Sequence, residues 1–301
     1  MKQDQDSIAE KPFMFSVSAR RLTPIQIVNM FDQASRRSQL ASVFGFLDES
    51  PLNGGRPRAD SVPFPLTEIE KLNDMGIGYS FTLTNTAVAQ EHLKDAHTNE
   101  LLKRFERPIN SVIAATDLVA DYVREHYPAY KIRASCLCNF TTAEQINAAC
   151  SRFDMVTPWP ELNASDAFLG QLKHKDQIML FGSQACLAGC VENRLRHYFL
   201  ASLDHIMFYN HRQYGTSYHP EDFEWTFPPF CRGKDAPILL EDLNRCRRLG
   251  FTNIKVVHPA QFAAHYLGIQ PKPVGKIAAF VRSRIPGRNP PVKVRPAAKK
   301  S

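Results

Sequence analysis

The chain alternates short apolar runs with longer segments in which apolar and polar residues recur at helical spacing. Eight of the short runs are rich in β-branched and aromatic residues, which is typical of buried strands. They are 13–18, 41–46, 77–83, 110–115, 130–135, 153–158, 177–182 and 253–257. Continuous apolar strands that alternate with helices predict βα units and a parallel sheet.

Several helix boundaries are also marked in the sequence. Thr23 suits the N-cap of a helix, and Pro24 suits its first position. Gly76 follows the segment "LTEIEKLNDM" and is typical of a helix end. Thr116 or Asp117 is expected to cap the helix after the fourth run, and Thr141 or Thr142 the helix after the fifth.

Eight βα units within residues 13–268 predict a (β/α)8 TIM-like barrel. An aromatic-rich stretch at 203–235 is expected to form an excursion that distorts it. An open doubly wound sheet is the alternative, but no GxGxxG turn follows the first run. Residues 1–12 are predicted to be a flexible N-terminus, and 269–301 a basic, proline-rich tail, so both termini are expected to be disordered.

Composition is that of a globular protein, with 44% hydrophobic and 22% charged residues. Lys and Arg exceed Asp and Glu by 37 to 30, and seven of the basic residues fall in 281–301. Such a tail is either solvated and disordered or a basic arm that contacts nucleic acid. The sequence leaves both alternatives open.

Cysteine content and hydropathy suggest a compartment. Seven cysteines is an odd number in a long chain whose N-terminus has no apolar signal-peptide core. We therefore expect a cytoplasmic protein with free or metal-bound thiols. No run of 18 apolar residues is present, so no membrane contact is expected.

Barrel enzymes carry their active sites at the carboxyl ends of the strands. The residues at and just after the carboxyl ends of the predicted strands are strongly polar, and they include Ser18, Cys138, Lys255 and His258. We expect five of this polar set to bind or activate a small polar or anionic substrate: Asp48, Glu49, Arg56, Asn85 and Asp117. In the segment 54-GGRPR-58, glycine allows backbone to approach an anion, and arginine binds carboxylate or phosphate through two hydrogen bonds.

Cys186 and Cys190 lie where the seventh run gives way to a helix. A thiol at a helix N-terminus has a lowered pKa, and thiolate is the metal-binding form. Together with Cys231 they predict a metal or iron–sulfur site, with Cys136 or Cys138 as a fourth ligand. The alternative is a set of buried, inert thiols. Cys150 and Cys246 fall in helical segments and are expected to be packing residues.

Four sequence features resemble the collagenase-like peptidase superfamily over residues 75–267. They are the barrel pattern, "GSQACLAGC" with the following "VENRLRHY", the isolated later cysteine Cys231, and the ending "LEDLNRCRRLGFTNIKVV". The resemblance implies ligand roles for Cys186, Cys190 and Cys231. The family contains peptidases and also oxygen-independent hydroxylases of RNA bases and ubiquinone precursors, which carry a four-cysteine [4Fe–4S] cluster. Its longer signature "HGxCxxYSGxC" is absent here.

Three hypotheses about function follow. The first is an iron–sulfur barrel enzyme that catalyses oxygen-independent hydroxylation or related redox chemistry on a polar or nucleic-acid-derived substrate. The second is a peptidase-like hydrolase, with zinc at the same thiols or with no metal. The third is a non-enzymatic binding protein that uses its basic tail as an anchor.

Overall fold

The computed structural model describes residues 11–19, 22–47, 49–56, 58, 63–184, 191–219, 236–237 and 240–269. The strands are β1 Met14–Ser18, β2 Leu40–Gly45, β3 Gly78–Leu83, β4 Ser111–Ala114, β5 Lys131–Ala134, β6 Met155–Val156, β7 Met179–Phe181, β8 Ser183–Gln184, β9 Ala236–Pro237 and β10 Asn253–Val256. The helices are α1 Pro24–Gln33, α2 Thr67–Asp74, α3 Ala96–Arg104, α4 Asp117–His126, α5 Ala143–Ala149, α6 Asp166–Gly170, α7 Val191–Tyr214, α8 Leu240–Arg248 and α9 Pro259–Phe262.

Eight of the strands form one parallel sheet in the order β6-β5-β4-β3-β2-β1-β10-β7. A parallel bridge between Val156 and Ile178 brings the two outer strands together, so the sheet forms a nearly closed barrel. The prediction of a (β/α)8 TIM-like barrel is confirmed. Strands β8 and β9 form a separate antiparallel pair.

Local sequence signals determine where several helices begin and end. The Thr23 side chain accepts a hydrogen bond from the Gln26 backbone, and the Gln26 side chain accepts one from the Thr23 backbone, which is a complete capping box. Thr142 forms the same arrangement with Gln145 at the start of α5. Gly76 has a φ of 74°, the left-handed conformation expected directly after a helix. These predicted boundaries are confirmed.

The outer layer of the core is aromatic. Phe15 of β1 points away from the barrel axis and packs between α1 and α9. Its ring centroid lies 5.9 Å from that of Phe31 and 4.8 Å from that of Phe262. All three side chains are buried. Because side chains alternate across a strand, the neighbours of Phe15, among them Ser16, point to the barrel interior.

The barrel interior is unusually polar. Ser16 and Ser42 share a hydrogen bond of 2.8 Å between their hydroxyls, and the Ser111 hydroxyl donates to that of Ser80 at 2.7 Å. Bulky branched side chains fill the interior of most such barrels. Four small serines leave room here for longer side chains from facing strands.

Helix α7 runs from Val191 to Tyr214, eleven residues beyond the predicted helical segment. The predicted excursion at 203–235 therefore begins as a continuation of this helix, and residues 220–235 lie outside the described part. None of the helices in the described ranges is long and apolar enough to cross a membrane.

Candidate active site at the mouth of the barrel

Three cationic side chains reach the carboxyl end of the barrel from different sides. Arg133 belongs to β5, Lys255 belongs to β10, and Arg56 follows β2. The charges of Arg133 and Arg56 both influence the ionisation of Lys255, as does that of Cys136. These four residues, with Ser18 at the end of β1, are called the mouth cluster below.

Arg133 crosses the interior of the barrel toward the serines. Its Nη1 lies 3.2 Å from the Ser42 hydroxyl and 3.5 Å from the Ser16 hydroxyl. Arg133 keeps some solvent access although protein surrounds its guanidinium. Burial lowers the pKa of Arg133 to about 10, and the Asp154 carboxylate partly offsets that effect. The guanidinium therefore stays charged at neutral pH.

Lys255 is a buried lysine between two aromatic rings. Its Nζ lies 4.9 Å from the ring centroid of Phe44 and 5.6 Å from that of Phe181, and the residue is 7% exposed. Within the described ranges, no carboxylate or other hydrogen-bond acceptor contacts Nζ. Burial, with a smaller contribution from Arg133 and Arg56, lowers the pKa of Lys255 to about 8. The amine is thus partly uncharged near neutral pH.

Arg56 is fixed by its neighbours on both sides. Its Nη1 donates to the Ser18 hydroxyl at 3.0 Å, and its guanidinium lies 5.3 Å from the Phe46 ring centroid. The Arg56 carbonyl lies 2.9 Å from Nε2 of His205 in α7. Burial lowers the pKa of His205 to about 4, so this imidazole is neutral and donates from Nε2. Helix α7 therefore holds the backbone of the Arg56 loop.

The same helix contacts the loops after two other strands. The Asn85 amide, after β3, donates to Ser202 O at 3.1 Å and to Pro51 O at 2.7 Å. Trp159, after β6, stacks on Tyr198 with 6.2 Å between ring centroids. Because all these loops follow strand carboxyl ends, α7 packs over the end of the barrel that carries the mouth cluster. No sequence pattern predicts this role for α7.

The glycine pair in 54-GGRPR-58 has a different use from the one expected. A Cβ on Gly54 would lie 2.5 Å from Thr84 O and 2.6 Å from the Asn85 backbone, so glycine is required for close packing of two loops. Gly55 has a φ of 77°, which favours glycine. The glycines allow the loop after β2 to pack closely against the loop after β3, and this packing places Arg56 near the rest of the mouth cluster.

The predicted substrate-binding residues are only partly brought together. Arg56 lies in the mouth cluster. The side chain of Asn85 is buried, and its amide donates to the carbonyls of Pro51 and Ser202. Glu49 forms an ion pair with Arg212 of α7, and the exposed Asp117 pairs with Arg152. Asp48 lies outside the described residues. Direct roles for these side chains in substrate binding stay predictions.

The cysteines divide into three groups. Cys136 and Cys138 lie in a 3-10 turn after β5; Cys138 donates from Sγ to Ala114 O at 3.5 Å, and burial raises its pKa to about 12, so it is a protonated thiol. The predicted packing roles of Cys150 and Cys246 are confirmed by their burial. The three remaining cysteines lie outside the described residues: Cys186, Cys190 and Cys231. Within the described ranges, no three His, Cys, Asp or Glu side chains are placed to hold a metal ion.

Two members of the mouth cluster were assigned no substrate-binding role from the sequence. Lys255 was only one of the polar residues near the strand ends, and Arg133 was not among the candidates. A signal for both was present, because each is a cation that alternates with apolar residues inside a buried strand, in "KIRA" and "NIKV". A charge at an inward-facing strand position needs a partner or a function.

No protein-family model matches the chain, and no curated protein is significantly similar in sequence. Among solved structures, the chain is similar to the U32 peptidase Mk0906, with 11% identity over 83% of this chain and 93% of that one and a TM-score of 0.48. It is also similar to the Bacillus cereus spore cortex-lytic enzyme SleL, with 9% identity over 88% of this chain and 73% of that one and a TM-score of 0.41. At this level both are general similarities of backbone arrangement, and neither assigns an activity.

Proposed function

We propose that this protein is a barrel enzyme that binds a small anionic substrate at the mouth cluster. One observation carries the proposal: Arg133 and Lys255 converge in the barrel interior, and no carboxylate of the described residues forms an ion pair with either. Barrel active sites occupy this end of the strands.

Buried like charges are unfavourable unless something compensates them. Lys255 illustrates the size of the effect, because a pKa lowered from 10.5 to about 8 corresponds to about 3 kcal/mol against its charged form. A carboxylate or phosphate bound between the two cations would recover much of that free energy. Arginine adds directionality, since its planar guanidinium donates two parallel hydrogen bonds to such groups.

Titration with inorganic phosphate and with succinate tests the proposal. We expect both anions to bind, and Arg133→Met to weaken binding about tenfold or more, since a hydrogen bond to a charged group contributes about 1.5–3 kcal/mol. Arg36→Gln is the control for the loss of one arginine elsewhere, because the Arg36 guanidinium lies over the ring of Tyr266, 4.8 Å from its centroid. Equal affinity in wild type and Arg133→Met, or no binding of either anion, would contradict the proposal.

The iron–sulfur enzyme is the second candidate for the chemistry. The observation that favours it is that Cys136, one of the two alternatives for the fourth ligand, is near enough to the mouth cluster for its charge to influence the ionisation of Lys255. Cys136 would hold the cluster with Cys186, Cys190 and Cys231, and a bound [4Fe–4S] cluster would supply electron transfer or Lewis-acid chemistry. The anion-binding site would then position a substrate for oxygen-independent hydroxylation.

Anaerobic purification separates this candidate from the peptidase-like hydrolase. Iron in the protein and absorbance near 400 nm would support the cluster and, with it, redox chemistry. Zinc in place of iron, or a metal-free protein that cleaves peptides, would support the hydrolase. Anion binding with neither metal nor turnover would favour the non-enzymatic binding protein.

A further inference from the structure

Lys255 has the surroundings of a nucleophilic amine. We propose that Lys255 forms an imine with the carbonyl group of an aldehyde or ketone that also carries a carboxylate or phosphate, while Arg133 and Arg56 bind the anionic group. This inference rests on the proposed anion site, and it adds the functional group on which the site acts.

The geometry separates the two tasks between side chains. Arg133 contacts the Ser16 and Ser42 hydroxyls inside the barrel, and as an arginine it stays charged. Lys255 Nζ has no hydrogen-bond acceptor among the described residues, and its walls are the rings of Phe44 and Phe181. The Arg133 guanidinium is therefore held by hydroxyl groups, whereas the Lys255 amine contacts aromatic rings and no hydrogen-bond acceptor of the described residues.

Imine formation is balanced without an added oxidant or reductant. The neutral amine attacks the carbonyl carbon and forms a C–N bond. The nitrogen gives up its two protons, the C–O bond breaks, and the carbonyl oxygen leaves as water. The resulting imine accepts a proton and becomes an electron sink for bond cleavage or proton removal at the neighbouring carbon.

The ionisation of Lys255 supports this role. With a pKa of about 8, roughly 10% of the amine is uncharged at pH 7, against about 0.03% at the ordinary 10.5, which is about 300-fold more nucleophile. The groups whose charges bear on it are Arg133 and Arg56, which lower the pKa, and Cys136, which raises it. The rings of Phe44 and Phe181 favour the charged amine, but the pKa of Lys255 is lowered because burial has the larger effect.

Reductive trapping of the full-length protein tests the inference. Glyoxylate, a small aldehyde with a carboxylate, is added at pH 7 with sodium cyanoborohydride, which reduces an imine to a stable secondary amine. Peptide mapping by mass spectrometry then identifies the lysine that gains a carboxymethyl group. We expect Lys255 to be labelled at least tenfold faster than Lys175, which lies 5.7 Å from the Phe251 ring centroid just before β7.

Two comparisons make the result specific. Acetaldehyde has the carbonyl without the anion, and it should label Lys255 about tenfold less than glyoxylate does. Arg133→Met should reduce glyoxylate labelling by a similar factor, whereas Arg36→Gln should not. Mapping in the wild-type protein identifies the site even if a Lys255 variant fails to fold.

The possible results distinguish failure of imine formation at Lys255 from failure of the proposed anion site. Labelling spread evenly over exposed lysines, in a protein that still binds succinate or phosphate through Arg133, overturns the imine and leaves the anion site. Equal labelling by glyoxylate and acetaldehyde overturns the anionic class of substrate. Absence of both labelling and anion binding overturns the proposed function together with the inference.

Discussion

Replacement of Lys255 by methionine should remove a pH-dependent cost of folding. In the unfolded chain lysine has a pKa near its ordinary 10.5, and in the folded protein Lys255 has one of about 8. Between these values the unfolded state binds more protons than the folded state, so stability rises with pH. The folded protein carries the full cost below pH 8 and loses it progressively as the pH rises toward 10.5.

The magnitude follows from the two pKa values. Lys255 lowers the free energy of unfolding by about 3 kcal/mol at pH 7 and by about 1 kcal/mol at pH 9.5. Lys255→Met has no such term. The difference in stability between variant and wild type should therefore shift by about 2 kcal/mol in favour of the wild type between pH 7 and pH 9.5.

Urea denaturation of both proteins at several pH values between 7 and 9.5 measures this shift. Comparison with the variant is essential, because burial raises the pKa of Cys138, Cys150 and Cys246 and gives the wild type an opposing trend. These thiols are common to both proteins and cancel in the difference. A stability difference that stays constant across this pH range would refute the assignment of a depressed pKa to Lys255.

Three further predictions concern other parts of the chain. Alanine at each predicted cluster ligand, Cys186, Cys190 or Cys231, should lower the bound iron and the melting temperature. Alanine at Cys150 or Cys246 is the control and should leave bound iron unchanged. Equal iron content in all five variants would contradict the predicted cluster site. Deletion of the tail 269–301 should weaken RNA or DNA binding and flatten its salt dependence, and an intact protein without salt-dependent binding would exclude the basic arm. Gly54→Ala should lower the free energy of unfolding by about 1–3 kcal/mol, because the new Cβ meets backbone at 2.5 Å, whereas Gly170→Ala, with nothing within 4 Å, should not.

The barrel could be predicted because its strands are marked by local patterns. Each run is rich in aromatic and aliphatic residues, and β3 from Gly78 to Leu83 is buried at every position, although the small polar Ser80 and Thr82 alternate with its large apolar side chains. Helix starts at Thr23 and Thr142 depend on residues three positions apart, which the sequence also shows. The end of α7 at Tyr214 is marked by Gly215, which has a φ of 67°, but the aromatic residues before it favoured an irregular excursion in the sequence.

The mouth cluster depends on contacts that the sequence does not reveal. Arg133 reaches Ser16 across 117 positions and Ser42 across 91, and only closure of the barrel brings them together. Glu49 and Asp117 looked suitable for substrate binding because both follow strands. The sequence does not show that each pairs with an arginine from elsewhere in the chain, Arg212 and Arg152 respectively, and their roles in substrate binding stay predictions.

The central claim is that an anion binds between Arg133 and Lys255. The most direct test is anomalous diffraction from crystals soaked in selenate, a heavier analogue of sulfate and phosphate. We expect a selenium peak inside the barrel mouth, with oxygens in hydrogen-bond contact with the Arg133 guanidinium and with Lys255 Nζ, and no such peak in Arg133→Met crystals. Selenium peaks confined to the outer surface of the protein would contradict it.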